Sequence, residues 1–318
     1  MHRWTLTLTF LLFPLVATAA TLVVATSGSD GNPCTADAPC RTIRHALDGM
    51  SDGDTLTIHG GTYDENHLSP PSGSTVEGAA GETVILQSTD STGPGFELSQ
   101  HADHITVRNL TIDGSGGGIS YGMLVYTSDC LIENVTIQNV QNQGIALYRE
   151  PPFAPQRCTL RNDHVSGSGV AGCHGTTPQD GYCHGVYNYT GENRIEGGEY
   201  DHNNGYGIQT YGPGLTITGA FVHDNVTGGL TIPGDGSAHV SNSVFTHNSN
   251  GEGTAIFVGS NSSFRDVSIV DNPGAGLYLP ADISNTTFEN IRSSDNHPNV
   301  YNEAGLSVRV DGTGASLP

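Results

Sequence analysis

A small residue followed by an apolar one returns along this chain at Gly122-Met123, Gly144-Ile145, Gly185-Val186, Gly207-Ile208, Gly229-Leu230, Ala255-Ile256, Gly276-Leu277 and Gly305-Leu306. The steps are 22, 41, 22, 22, 26, 21 and 29 residues, so one repeat carries an insertion of about 19 residues, and that insertion contains Cys173 and Cys183. Self-similarity at this period is the mark of a solenoid, in which each repeat buries its apolar face against its neighbour. The repeats show period-2 alternation and no ten-residue window with helical spacing, which sets leucine-rich and other helix-containing repeats aside. The fold class that follows is all-β, a single-stranded right-handed parallel β-helix.

A second anchor supports it. An apolar residue, a short strand and an Asn recur as Ile195 to Asn203, Ile217 to Asn225, Val240 to Asn248, Phe264 to Asn272 and Phe288 to Asn296. Asn tolerates the left-handed backbone region better than other non-glycine residues, so these Asn are expected at the coil corners in that conformation, as a structural ladder. Before the coils, Cys40, Ile43, Leu47 and Met50 fall on one helical face and are followed by the turn-forming Ser51-Asp52-Gly53-Asp54. This predicts a helix near residues 41–50 covering the N-terminal end of the solenoid, whose strand edges would otherwise be open.

The first twenty residues read as a signal peptide: a basic start at His2 and Arg3, an apolar stretch from Trp4 to Val16 and the small-residue run Ala17-Thr18-Ala19-Ala20. No later segment approaches the roughly 20 apolar residues that a spanning helix needs. The expectation is an exported monomer with one β-helix domain over 21–318, its N-terminal cap at 21–65 and its coils at 66–310. Six cysteines in an oxidising compartment suggest disulfides, and their spacing proposes Cys34 with Cys40, Cys130 with Cys158 across adjacent coils, and Cys173 with Cys183. The net charge of -21 and the complete absence of lysine argue against nucleic acid as a partner.

The segment from Val24 to Pro33, then Arg41-Thr42-Ile43, Gly53-Asp54-Thr55-Leu56 and Gly60-Gly61-Thr62-Tyr63, resembles the opening of pectate-lyase-like β-helix proteins. With the coils, the resemblance covers nearly the whole chain beyond the leader. It implies the fold and a superfamily that includes lyases, epimerases, hydrolases and non-catalytic surface proteins.

Alternation then assigns faces. With Met123, Ile145, Val186, Ile208, Leu230, Ile256 and Leu277 inward, residues one and three places further on point outward. The outward row contains Tyr126, Tyr148, Tyr189 and Tyr211 on four successive coils, a platform suited to pyranose rings, or a structural stack. Around it lie Arg149, Arg157, Arg161, His164, His174, Asp180, His184, Tyr187 and Arg194. Four of the eleven Arg thus fall between 149 and 194, either as a positive patch for a carboxylated sugar or as partners of Glu150, Asp163, Glu192 and Glu196.

The run Asp180-Gly181-Tyr182-Cys183-His184-Gly185-Val186-Tyr187 resembles the Asp/His/Tyr site region of mannuronan epimerase-like and uronate-lyase-like β-helices. That resemblance implies proton abstraction at C5 of a uronic acid, with His184 as base or carboxylate partner, Tyr187 or Tyr189 as proton donor and Arg149 as carboxylate neutraliser. Tyr126, Tyr148, Gln209, Tyr211, Arg194 and Asp180 would bind substrate. His184 and Tyr189 are expected to be exposed. The chain departs from the epimerase pattern in lacking a Pro between the Asp and the His and any Lys nearby. No Asp-Asp pair occurs, which lowers hydrolysis below elimination or epimerisation. The scattered His have no zinc spacing, no metal site is assigned, and calcium is the one cofactor left open. Sequons occur at Asn109, Asn134, Asn188, Asn225, Asn261 and Asn285. The expected function is a secreted polysaccharide lyase or C5-epimerase-like enzyme acting on a uronic-acid polymer. The alternatives are a non-catalytic glycan-binding or cell-surface β-helix and a glycoside hydrolase.

Overall fold

A computed structural model describes residues 19–90, 92–149, 156–170, 183–249, 253–306 and 308, and the strand Val310–Asp311. Residues 1–18 of the leader expected at 1–20, and Cys173, His174 and Asp180, lie outside these residues.

Parallel strands stack into a β-solenoid of about nine coils. One coil illustrates all. The strand Leu131–Glu133 lies in a first sheet, Asn134 turns the corner at φ 53°, and Thr136–Gln138 lies in a second sheet. Asn139 turns the next corner at φ 57°, and Ile145–Leu147 lies in a third sheet. The third sheet has nine strands. The first two sheets join into one of twenty where Ser263–Val270 and Thr287–Ser294 run through the corner unbroken.

The register explains the core. Ile132 pairs with Val107 and Leu160, Ile137 with Ile112 and Val165, and Ile145 with Met123 and Val186, so like stacks on like inside the tube. All seven residues expected to face inward from the third sheet are buried. Each such side chain contributes about 1.5–3 kcal/mol by leaving water. The small anchor also has a steric cause: a Cβ on Gly144 would meet Val165 Cγ1 at 2.2 Å, and one on Gly122 would meet Ile137 Cγ2 at 2.4 Å. Both the anchor and the apolar residue after it therefore face the interior.

The Asn ladder exists, but its backbone differs from the expectation. The left-handed residues at this corner are His202, Asp224, His247, Asp271 and Asp295, each one place before the repeated Asn. Asn203, Asn225, Asn248, Asn272 and Asn296 are instead buried with their amides turned inward. Each Oδ1 accepts the preceding coil's backbone N–H: Asn203 N to Asn225 Oδ1 at 3.1 Å, Asn248 N to Asn272 Oδ1 at 2.8 Å, Asn272 N to Asn296 Oδ1 at 3.0 Å. The corner needs a backbone that tolerates positive φ, while the gap behind it needs a side chain carrying both donor and acceptor. Asn serves the second need.

The short helix α1 (Ile43–Gly49) packs on Thr21–Val24 and Thr55–Ile58 at the N-terminal end, with Ile43, Ala46 and Leu47 buried. Thr42 caps it, and Glu65 reaches its first turn from another segment, accepting from the N–H groups of Ile43 and Arg44 at 2.8 Å each. Cys34–Cys40 and Cys130–Cys158 are disulfides as expected. The second joins the positions just before the register partners Leu131 and Thr159 on adjacent coils. Cys183 is also disulfide-bonded. Among the described residues no helix is long and apolar enough to cross a membrane.

Candidate functional site: a tyrosine face on the third sheet

The insertion inferred from the repeat is divided between two loops. Eleven residues separate Ile145–Leu147 from Thr159–Arg161, where the coil before has five, and nineteen separate His164–Ser166 from Val186–Asn188, where it has six. One loop leaves the third sheet and the other enters it.

On that face the rings touch. Tyr126 stacks on Tyr148 with centroids 6.4 Å apart, Tyr148 meets Tyr187 at 5.3 Å, and Tyr187 lies parallel to Tyr189 at 6.1 Å with 4° between planes. Tyr211 closes on both Tyr187 and Tyr189, at 6.1 and 5.7 Å. Tyr189 is 43% exposed, whereas the others are half-buried. Tyr121 and Tyr206 extend the cluster through Tyr148 and His184, and they sit two places before the apolar anchor. Because the small anchor turns inward, the residue preceding it turns out, a third outward row that strict alternation does not reveal.

His184 belongs to that row, yet it is fully buried, which corrects the expectation of an exposed ring. It lies parallel to Tyr187 at 6.2 Å and within 5.7 Å of Tyr206. Its Nδ1 accepts the Tyr206 backbone N–H at 3.0 Å, so a neutral ring carries its hydrogen on Nε2. With Nε2 buried as well, the ring meets the tyrosine face only through the rings packed against it. Gln209 pairs with Tyr187 in register but is also fully buried, as is Ala146 on the other side of Tyr187, so tyrosine rings form the accessible surface.

The arginines separate. Arg157 forks onto Asp129 at 2.7 and 2.8 Å, and Arg161 bridges Glu133 and Glu196 at 3.2 and 2.9 Å, both on or beside the first sheet. Arg194 is exposed in the first-sheet strand Arg194–Glu196, away from the tyrosines. Arg149 follows Tyr148 directly, is exposed and makes no ion pair with any described residue. Of the four, it alone adjoins a residue of the tyrosine face in sequence. His164 lies on the second sheet, bonded through Nε2 to Asp201 at 2.8 Å. One group of three potential metal ligands occurs among the described residues, Cys34, Cys40 and His45, and its thiols are consumed by the disulfide.

Parallel three-sided coils with a buried amide ladder and an aromatic outer face define a class. The right-handed β-helix region model matches residues 49–182, 179–290 and 206–314, and the chain belongs to that family. Among solved structures it is similar to pectate lyase Pel9A, with a TM-score of 0.72 and 15% identity over 95% of this chain and 82% of that one. It is also similar to XylC in complex with xylose (TM-score 0.63, 11% identity, 88% and 70% covered) and to alginate lyase from Paenibacillus sp. str. FPU-7 (0.62, 13%, 89% and 98%). At these identities the likeness is one of fold. No curated protein matches the sequence.

Proposed function

We propose that the chain is an exported polysaccharide lyase that takes a uronic-acid polymer across the tyrosine face of its third sheet. The observation that carries this reading is the contiguous ring cluster of Tyr126, Tyr148, Tyr187, Tyr189 and Tyr211, with Arg149 beside it and His184 beneath it. Sugar rings stack on the tyrosine faces, and Arg149 neutralises the carboxylate, whose charge grows as the C5 proton leaves. Tyr189, the exposed phenol, moves the proton: C5–H breaks, C4=C5 forms, the C4–O bond to the leaving sugar breaks, and that oxygen is protonated. His184 acts through the Tyr187 ring it packs against and is a positioning residue. The disulfides and the absence of a membrane-crossing helix among the described residues support export. Structural neighbours named as pectate and alginate lyases support the substrate class.

A second reading, a glycan-binding β-helix without turnover, is favoured by the burial of His184 and the lack of lysine. A screen of uronic-acid polymers for the ultraviolet absorbance of the unsaturated product, with and without calcium, separates the two. On a responsive polymer, Tyr189→Phe should lower turnover by about 10²-fold or more at an unchanged melting temperature. Full activity in Tyr189→Phe would remove the lyase assignment from this face.

A further inference from the structure

The outer row that contains Tyr187 continues in register through Gln209 and Thr231 to Phe257, Tyr278 and Tyr301. There a second run of rings begins. Phe257 meets Tyr278 at 5.0 Å, and Tyr278 meets Tyr301 at 5.3 Å. Five large apolar side chains stand out into water among the described residues, and two of them, Tyr189 at 43% and Tyr301 at 49%, lie on this sheet. Their strands are five coils apart, about 24 Å at the usual strand spacing. The C-terminal coils do not need the outer rings to stack, because Phe264 and Phe288 already stack at 5.4 Å between the same coils on the first sheet.

The two ring clusters differ in charge. Arg149 stands beside the first. The second has Glu303, whose Oε2 accepts from Tyr278 Oη at 2.9 Å and so fixes that ring, and the exposed Asp282 lies near enough to act on the same phenol. A uronate would be repelled there, while an uncharged sugar would find ring faces and a carboxylate acceptor for its hydroxyls.

We propose that Phe257, Tyr278 and Tyr301 form a second carbohydrate subsite on the third sheet, one that takes uncharged pyranose rings and so selects polymers in which neutral sugars accompany the uronate. This rests on the carbohydrate reading of the same face. Three coils match roughly three sugar units, so neutral β-linked trisaccharides of glucose, xylose, mannose and galactose are the probes, titrated calorimetrically into the full chain. At least one should bind, and Tyr301→Ala and Tyr278→Ala should each raise its Kd by about fivefold or more, whereas Tyr189→Ala should not. The site is overturned if none of the four binds, or if Tyr189→Ala abolishes binding that Tyr301→Ala leaves intact. Because Tyr301 is half exposed, its variant tests the ring without risk to the fold. Trisaccharide binding without uronide turnover would remove the lyase reading and leave this subsite. Turnover without trisaccharide binding would do the reverse.

Discussion

His223 has a carboxylate against each ring nitrogen, Asp224 Oδ2 on Nδ1 at 2.6 Å and Glu199 Oε1 on Nε2 at 2.9 Å, which only the doubly protonated ring can satisfy. Next to it Asp201 accepts from His164 at 2.8 Å and His202 at 2.5 Å. Burial opposes the charge on His223, but the bonds to Asp224 and Glu199 raise its pKa; the bond to Asp201 raises that of His164. Burial likewise opposes the charge on Asp201, yet its two histidines bring its pKa down to about 2. The histidine contribution is complete below the unfolded value near 6.5 and is lost as pH rises through the raised folded values; that of Asp201 holds above about 3.9 and is lost as pH falls through about 2. Asp163, pushed well up by burial, loses stability as pH rises from about 3.9 toward its raised folded value. The melting temperature should therefore be highest near pH 4 and fall toward pH 8.5, and His223→Gln should flatten the part of that fall that lies above about pH 6.5. An equal slope in the variant would show that the network does not carry it. The insertion hides the register that sets His164 beside Glu199; Asp201 and His223 are one plain 22-residue step apart, but period alone does not say that their side chains join one network.

Between coils, two ladders hold the elements in register. On the first sheet Glu77, Arg108, Glu133, Arg161 and Glu196 occupy one row on successive coils, and Arg108 and Arg161 each reach carboxylates on both sides. Such exposed pairs contribute little individually. The buried Asn ladder contributes more. Asn225 Nδ2 donates to Tyr200 O, His223 O and Asn248 Oδ1, while its Oδ1 takes both the backbone N–H and the Nδ2 of Asn203. Asn225→Ala would leave several of these groups without partners in a dry interior, at about 1–3 kcal/mol each. Asn242, exposed at a left-handed corner, should lose far less on substitution by Ala. Thermal melts of the two variants measure the difference, and equal losses would contradict the ladder's role. The repeat, the apolar anchors and the Asn positions were readable because each recurs at fixed spacing. The one-residue offset of the left-handed corner was not, since period alone does not say whether a polar side chain points in or out.

Taken as a whole, the tube presents a different chemistry on each side: an ion-pair ladder on the first sheet, histidine and carboxylate bonds on the second and tyrosines on the third. Sequence alternation found four of the tyrosines, Tyr126, Tyr148, Tyr189 and Tyr211, and the resemblance pointed to His184 and Tyr187. It missed Tyr121 and Tyr206, which precede the inward-facing anchor, and it gathered Arg157, Arg161 and Arg194 to a face they do not share. The central claim is that saccharide lies across the third sheet. A crystal structure of the Tyr189→Phe variant with a uronic-acid hexasaccharide tests it most directly. Sugar rings packed on Tyr148, Tyr187 and Tyr211 with a carboxylate toward Arg149 are the predicted result; a saccharide seated on the first or second sheet would contradict it.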